Sequence, residues 1–306
     1  MSKILSAIDI GSNGIRMMIA DVIQNENQPP FLKEVKKLRS SIRLGKEVFL
    51  DQPISESTIL ESIETFSHFK TMNLKHHVQN CKAVGTSALR EAKNKTEFVE
   101  RIEKSTGIKI DIIDGHEEAN LIFLAVSKEL HLDSSAHILI DIGGGSVEIT
   151  FCEKGKMMDS KSFPMGTVRI LDQLIKRNLK EDNLKIVMGD FISPLSTYIG
   201  NHPLHNSLAS AIGTGGNLEC MARLKLDLLK KTPNSYVTLH ELVEMNQKIK
   251  TLSLSDRVEK LNLRPDRADV ILPAILIVKT IMRQAGVNKI IIPSVGLRNG
   301  ILWSMI

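Results

Sequence analysis

Residues 7–16, Ala7-Ile8-Asp9-Ile10-Gly11-Ser12-Asn13-Gly14-Ile15-Arg16, are echoed by residues 139–148, Leu139-Ile140-Asp141-Ile142-Gly143-Gly144-Gly145-Ser146-Val147-Glu148. Each copy is an apolar run ending at an Asp, a Gly/Ser-rich turn, and a second apolar run at residues 17–19 or 149–151. A Gly-rich turn leaves backbone N–H groups able to face an anion, and an Asp at a strand end can face a metal ion. Either copy alone is accounted for by an ordinary β-hairpin with a glycine turn. Recurrence at matched positions predicts two similar lobes, each led by the same hairpin, with a phosphate-bearing ligand held between them.

The copies also differ informatively. With Asp9 aligned to Asp141, Arg16 falls opposite Glu148. The first hairpin therefore offers a guanidinium that can hold phosphate oxygens bidentately. The second offers a second carboxylate, which with Asp141 suits a hydrated Mg²⁺ better than a phosphate.

At 306 residues the chain has the length of two ordinary domains, and 42% hydrophobic with 25% charged residues is a globular composition. The longest apolar run, residues 270–278, contains Pro273 and falls well short of a membrane span. The N-terminal residues read as a first strand without a signal-peptide layout, so a cytoplasmic location is expected. Cys81, Cys152 and Cys220 are odd in number and widely spaced, which indicates neither a disulfide framework nor a zinc site. His76, His77 and His116 lack ligand spacing to any Cys or carboxylate cluster and read as surface or turn residues. The net charge of +5 fits a polyanionic ligand without selecting one. The densest basic stretch, Lys33, Lys36, Lys37, Arg39 and Arg43, reads equally as an approach path for phosphates or as a solvated face. Aromatic residues at 4% leave little material for base-stacking platforms, so nucleic acid is not an expected partner, and neither is a membrane.

The order of elements predicts an α/β protein. Two strands are followed by a strand or loop at residues 36–44, a helix at 55–72, a strand at 81–84, helices at 94–105 and 117–130, and a strand at 108–113 between them. The second lobe restarts at Ile138. Its expected helices are at 168–178, 184–199, 239–252, 255–260 and 267–285, with a strand-to-loop-to-helix unit at 208–217, a strand at 289–293 and a last helix from Leu297. The expected domains are residues 1–124 and 125–306, hinged in the helix around Ala125, with the C-terminal helix able to pack back on the first domain.

Six blocks taken in order resemble the exopolyphosphatase and guanosine pentaphosphate phosphohydrolase family, in the actin, Hsp70 and sugar-kinase fold superfamily. They are residues 7–13, Gly85-Thr86-Ser87-Ala88-Leu89-Arg90-Glu91-Ala92, Gly115-His116-Glu117-Glu118-Ala119, residues 141–148, Arg267-Ala268-Asp269-Val270-Ile271 and residues 296–302. The resemblance spans essentially the whole chain and implies the short two-domain form. It implies two actin-like (ribonuclease H-like) domains, each a mixed sheet flanked by helices, with the active site in the interdomain cleft. Carried over by position, the catalytic base corresponds to Glu118 and the metal pair to Asp141 and Glu148. Phosphate contacts correspond to Gly11, Ser12, Asn13, Gly14, Arg16, Ser87 and Arg90, and to Gly143, Gly144, Gly145 and Ser146. The chain departs from the family at Gly14-Ile15, where members commonly have Ser-Phe, and a looser turn is expected. Residues 213–217 lie where fold relatives hold adenosine, with their role here open. Arg267 reads equally as a cleft residue or as a partner of Asp266 or Asp269.

Cleaving a terminal phosphoanhydride requires charge neutralisation, alignment of the phosphate chain, and a water oriented and deprotonated as it attacks. Mg²⁺, or Mn²⁺, on Asp141 and Glu148 would meet the first need. The two turns with Arg16 and Arg90 would meet the second, helped by the helix start at Ser87. Glu118 would meet the third. Without the rest of the constellation, Glu117-Glu118 is simply an acidic pair of the kind favoured in a first helical turn. The expected reaction is removal of terminal phosphate from inorganic polyphosphate, with guanosine pentaphosphate 5′-phosphohydrolysis as the alternative. An ATP-dependent kinase or ATPase, and a non-catalytic polyphosphate or alarmone binder, are more distant readings. The resemblance is compatible with a homodimer.

Overall fold

A computed structural model describes residues 3–24, 29–132 and 135–306. The chain divides into two units, Met1–Leu124 together with Leu297–Ile306, and Ala125–Gly296.

The first unit is built on strands β1 (Lys3–Gly11), β2 (Gly14–Ile23), β3 (Phe31–Ser40), β4 (Asn80–Gly85) and β5 (Ile110–Ile112), in the order β3-β2-β1-β4-β5. The β1, β2 and β3 pairings are antiparallel, and β4 and β5 join in parallel. Strand β1 is apolar almost throughout because it is central and covered on both faces, whereas edge strand β3 is exposed along most of its length. Its lysines keep that edge from pairing with other chains. They also hide the alternation that marks a strand, so the segment expected at 36–44 runs instead over Phe31–Ser40.

The helix Glu56–Lys75 starts where Ser55 accepts from the Thr58 N–H, and the helix Lys95–Thr106 ends at left-handed Gly107. Ile301 and Leu302 of the C-terminal helix Leu297–Trp303 are buried with Leu5, Ala7, Met18, Val84 and Leu121. A Cβ on Gly300 would stand 1.9 Å from the Leu121 carbonyl oxygen, so only glycine permits this approach. Residues 297–306, expected within the second domain with their helix able to pack back on the first, group with the first unit.

The second unit is built on β6 (Ala136–Ile142), β7 (Val147–Glu153), β8 (Lys156–Phe163), β9 (Leu208–Thr214), β10 (Tyr236–Thr238) and β11 (Lys289–Ile291). Their order is β10-β11-β9-β6-β7-β8. An antiparallel meander, β6-β7-β8, again meets parallel neighbours, β9 and β11. Each unit thus repeats one plan, in which a leading hairpin is joined to strands running parallel to its first arm. The helices Thr167–Lys176, Leu184–Gly200, Gly216–Leu229, Leu239–Lys250 and Ile271–Gln284 contribute to one continuous core.

The single helix expected at 267–285 is two, Pro265–Ala268 and Ile271–Gln284. Pro273 has no N–H for the Asp269 carbonyl and its ring crowds that group. The Ala268 carbonyl accepts instead from Arg257 Nη1 at 3.2 Å. No helix among the described residues is long and apolar enough to cross a membrane.

Candidate functional site

In the first unit β1, β4 and β5 are parallel, so their carboxyl ends lie along one edge of the sheet, where ligands of open α/β sheets commonly bind. The leading hairpin turns there: Gly11 pairs with Gly14, Ile10 with Ile15 and Asp9 with Arg16. Directly opposed residues share a face, and Arg16 Nη1 stands 3.7 Å from Asp9 Oδ2.

The Ser12 carbonyl accepts from the Gly45 N–H, and the Asn13 carbonyl from Arg39 Nη2, each at 3.0 Å. In a trans peptide the N–H points away from its carbonyl. These two bonds therefore fix the direction of the Asn13 and Gly14 N–H groups. Gly14 has φ 149°, and a Cβ there would lie 2.8 Å from the Ser40 carbonyl oxygen and 3.0 Å from Arg39 Nη2. The turn expected to be loose at Gly14 is instead braced by β3.

Burial pushes the Asp9 carboxyl above the ordinary carboxylate range, although the nearby Arg16 and Arg298 guanidiniums pull the other way. The folded state then favours protonated Asp9. That contribution is fully present below the unfolded value near 3.8 and lost as pH rises through the higher folded value. Asp9→Asn is accordingly expected to be more stable than the parent at about pH 7.5, with the difference vanishing at about pH 3. Urea midpoints at the two pH values check this, and an equal gain at both would contradict it.

Beyond β4, Thr86 donates its N–H to the Ile10 carbonyl at 3.2 Å, tying the next loop to the hairpin. The helix that follows, Ser87–Glu91, has only five residues, too short to carry the helix-dipole contribution expected of it. The Ser87 hydroxyl donates to Glu91 Oε1 of the same helix at 3.2 Å.

Arg90 Nη1 donates to the Ile113 carbonyl at 2.6 Å and stands 3.5 Å from Glu118 Oε2. Both contacts use Nη1, which leaves Nη2 and Nε of the guanidinium for an anion. Glu118, 6% exposed, sits in the first turn of the helix Gly115–Glu129. Asp114 caps that helix by accepting the Glu117 N–H at 2.8 Å, a bond that holds the exposed Asp114 carboxyl below its ordinary range.

In the second unit the equivalent hairpin pairs Asp141 with Glu148 in register, so two carboxylates share one face. Thr214 Oγ1 donates to Asp141 Oδ1, and Ser162 Oγ donates to Glu148 Oε1 at 2.8 Å. Glu148 is 2% exposed. Two adjacent carboxylates, each oriented by one hydroxyl, form a donor set suited to a hard divalent cation.

The Gly143, Gly144 and Gly145 carbonyls accept the N–H groups of Thr167, Val168 and Gly166 at 2.8–3.1 Å, and Arg169 Nε adds a bond to the Gly145 carbonyl at 2.9 Å. By the same peptide geometry the N–H groups of Gly144, Gly145 and Ser146 face away from the helix Thr167–Lys176, forming a backbone cradle for an anion. A Cβ on Gly166 would lie 2.4 Å from Gly144 and Gly145 backbone atoms. Gly166→Ala is therefore expected to cost about 1–3 kcal/mol through overpacking and to deform the cradle. Chemical denaturation measures the first effect and substrate affinity the second.

The third Gly-rich loop also belongs to this half-site. A Cβ on Gly215 would stand 3.1 Å from Asp141 Oδ1. Asn217 Nδ2 donates to the Ile142 carbonyl at 2.9 Å, and Arg267 Nη1 donates to Asn217 Oδ1. Arg267, left open by the sequence, is thus a brace for the two loops on either side of Asp141. Arg39, Arg298, Thr214, Ser162 and Gly166 were not singled out as site residues by sequence. Gly166 stands in a Met165-Gly166-Thr167 helix start and Arg298 in a recognisable block, but Thr214 and Ser162 carry no local signal.

Comparison with known proteins places this arrangement. The chain is 28% identical over 298 residues to the bifunctional 3-dehydroquinate synthase/phosphatase of Fusobacterium nucleatum, covering 94% of this chain and 44% of that protein. It is 22% identical to exopolyphosphatase 1 of Mycobacterium leprae, covering 97% and 88%. It is 23% identical to the guanosine-5′-triphosphate,3′-diphosphate pyrophosphatase of Aliivibrio fischeri, covering 100% and 60%. The chain therefore spans less than two thirds of the Fusobacterium and Aliivibrio relatives. The crystal structure of the Aquifex aeolicus Ppx/GppA family member superposes with a TM-score of 0.79 at 25% identity, covering 100% of this chain and 98% of that one. The second hairpin, the acidic helix start and the C-terminal block fall within one continuous match over residues 22–306, and the chain belongs to the Ppx/GppA phosphatase family.

Proposed function

We propose that this chain hydrolyses the terminal phosphoanhydride of inorganic polyphosphate, with Glu118 as the general base for the attacking water. The observation that carries the reading is the contrast between two hairpins of one build, Asp9 with Arg16 in the first and Asp141 with Glu148 in the second. One suits phosphate oxygens and the other a divalent cation.

In this reading the N–H groups of residues 13–14 and 144–146 align the phosphate chain, and Arg16 and Arg90 neutralise its oxygens. Asp141 and Glu148 would hold Mg²⁺, with Mn²⁺ as the alternative, and when bound the ion would offset phosphate charge. Glu118, oriented by Arg90, takes the proton from water. The second reading is 5′-phosphate removal from guanosine pentaphosphate. It is supported by the Aliivibrio relative, whose name specifies that type of nucleotide and whose similarity extends over the whole of this chain.

Phosphate release with Mg²⁺ from short polyphosphate, long polyphosphate and guanosine pentaphosphate, compared by kcat/KM, separates the two. The expected result is fastest turnover of polyphosphate, with shorter chains preferred. Preference for the nucleotide would replace the first reading by the second. Release from none of the three would overturn both.

A further inference from the structure

A second place in the Ala125–Gly296 unit has the chemistry of a binding site and plays no part in the proposed hydrolysis. A cavity of about 210 Å³ opens where the helices Leu184–Gly200, Leu239–Lys250 and Ile271–Gln284 meet. Leu184, Leu272 and Leu276 give it apolar walls, and Asn246 adds an amide.

Its charges do not cancel. Glu181 is bound through both oxygens by the buried Arg257, at 2.7 and 2.6 Å, and Asp182 pairs with Lys250 at 3.0 Å. Lys185 and Lys279, which also line the cavity, have no carboxylate partner among the described residues. Burial, together with Arg283 and Lys185 nearby, holds the Lys279 ammonium below its ordinary pKa. Clustered cations of this kind are unfavourable until an anion arrives.

We infer that this cavity binds a small organic anion, its acidic group between Lys185 and Lys279 and its short apolar body against the three leucines. Pockets of this type combine mostly apolar walls with a few polar groups that set specificity. Lysine ammoniums act as point charges without the planar fork of arginine, so carboxylate and phosphate head groups both meet the requirement.

Calorimetric titration of the whole chain tests the assignment with hexanoate as probe. Hexylammonium supplies the same tail with the opposite charge, and inorganic phosphate supplies charge without a tail. Saturable hexanoate binding at one site is expected, at least tenfold tighter than either control. It should weaken at least tenfold in Lys279→Met and in Lys185→Gln, and persist in Glu118→Gln. Lys185 is exposed, so its variant keeps the test valid if Lys279→Met folds poorly. Absence of saturable binding, affinity unchanged in the lysine variants, or phosphate binding as tightly as hexanoate would each overturn the assignment.

Discussion

Glu118→Gln is expected to lower kcat for phosphate release by about 10²–10⁴-fold while changing KM little. The amide keeps the shape of the carboxylate, and its oxygen can still face Arg90, which remains anchored on the Ile113 carbonyl. What it cannot do is take a proton from water. A group that acts only in the transition state lowers kcat and kcat/KM together, whereas one that merely positions substrate raises KM. Initial rates over a substrate series distinguish the two, and residual activity within tenfold of the parent would remove Glu118 from the role of base. Melting temperature serves as the control. The variant exchanges a nearly buried charge for a neutral group in an ion pair 3.5 Å long, so its fold should survive.

The second large effect is expected at the paired carboxylates. Glu148→Gln or Asp141→Asn should raise the Mg²⁺ concentration for half-maximal rate at least tenfold. Both amides can still accept the hydroxyl bonds from Ser162 and Thr214, so the hairpin should keep its register. Ligand binding to the folded state stabilises it by about 1.4 kcal/mol for each tenfold of saturation beyond the dissociation constant. The parent should therefore melt at higher temperature as Mg²⁺ is added, and the variants should respond far less. A chelator should abolish phosphate release from the parent, and added Mg²⁺ should restore it. Unchanged Mg²⁺ dependence of both rate and melting in both variants would exclude these carboxylates as the metal pair.

Much of this site was legible in the sequence because its parts are local. A hairpin with Asp at one strand end and Arg or Glu seven residues later determines its own cross-strand partner once the turn is identified, and Asp9–Arg16 and Asp141–Glu148 pair accordingly. The helix capped by Asp114 and the helix closed by Gly107 announce themselves through residues at their own ends. The braces were not legible, because each joins distant segments. Arg39 reaches back to Asn13, Thr214 meets Asp141 across parallel strands, and Arg267 acts through Asn217. Strand β8 was missed for a different reason: Lys156-Met157-Met158-Asp159-Ser160-Lys161-Ser162-Phe163 forms a sheet edge with only Phe163 fully buried, so it lacks a covered face to impose alternation. The helix break before Ile271 combines a local cause, Pro273, with a distant one, Arg257.

The membership of residues 297–306 has a consequence for how the protein is made. A chain leaves the ribosome N-terminus first, and domains commonly fold in that order. Here the first unit lacks Ile301 and Leu302, and with them one wall of the core formed by Leu5, Ala7, Met18 and Val84, until residues 297–306 have been synthesised. The later-made unit, complete at Gly296, has all its parts in hand sooner. A released chain ending at Gly296 should therefore carry a protease-resistant second unit beside a first unit still open to cleavage.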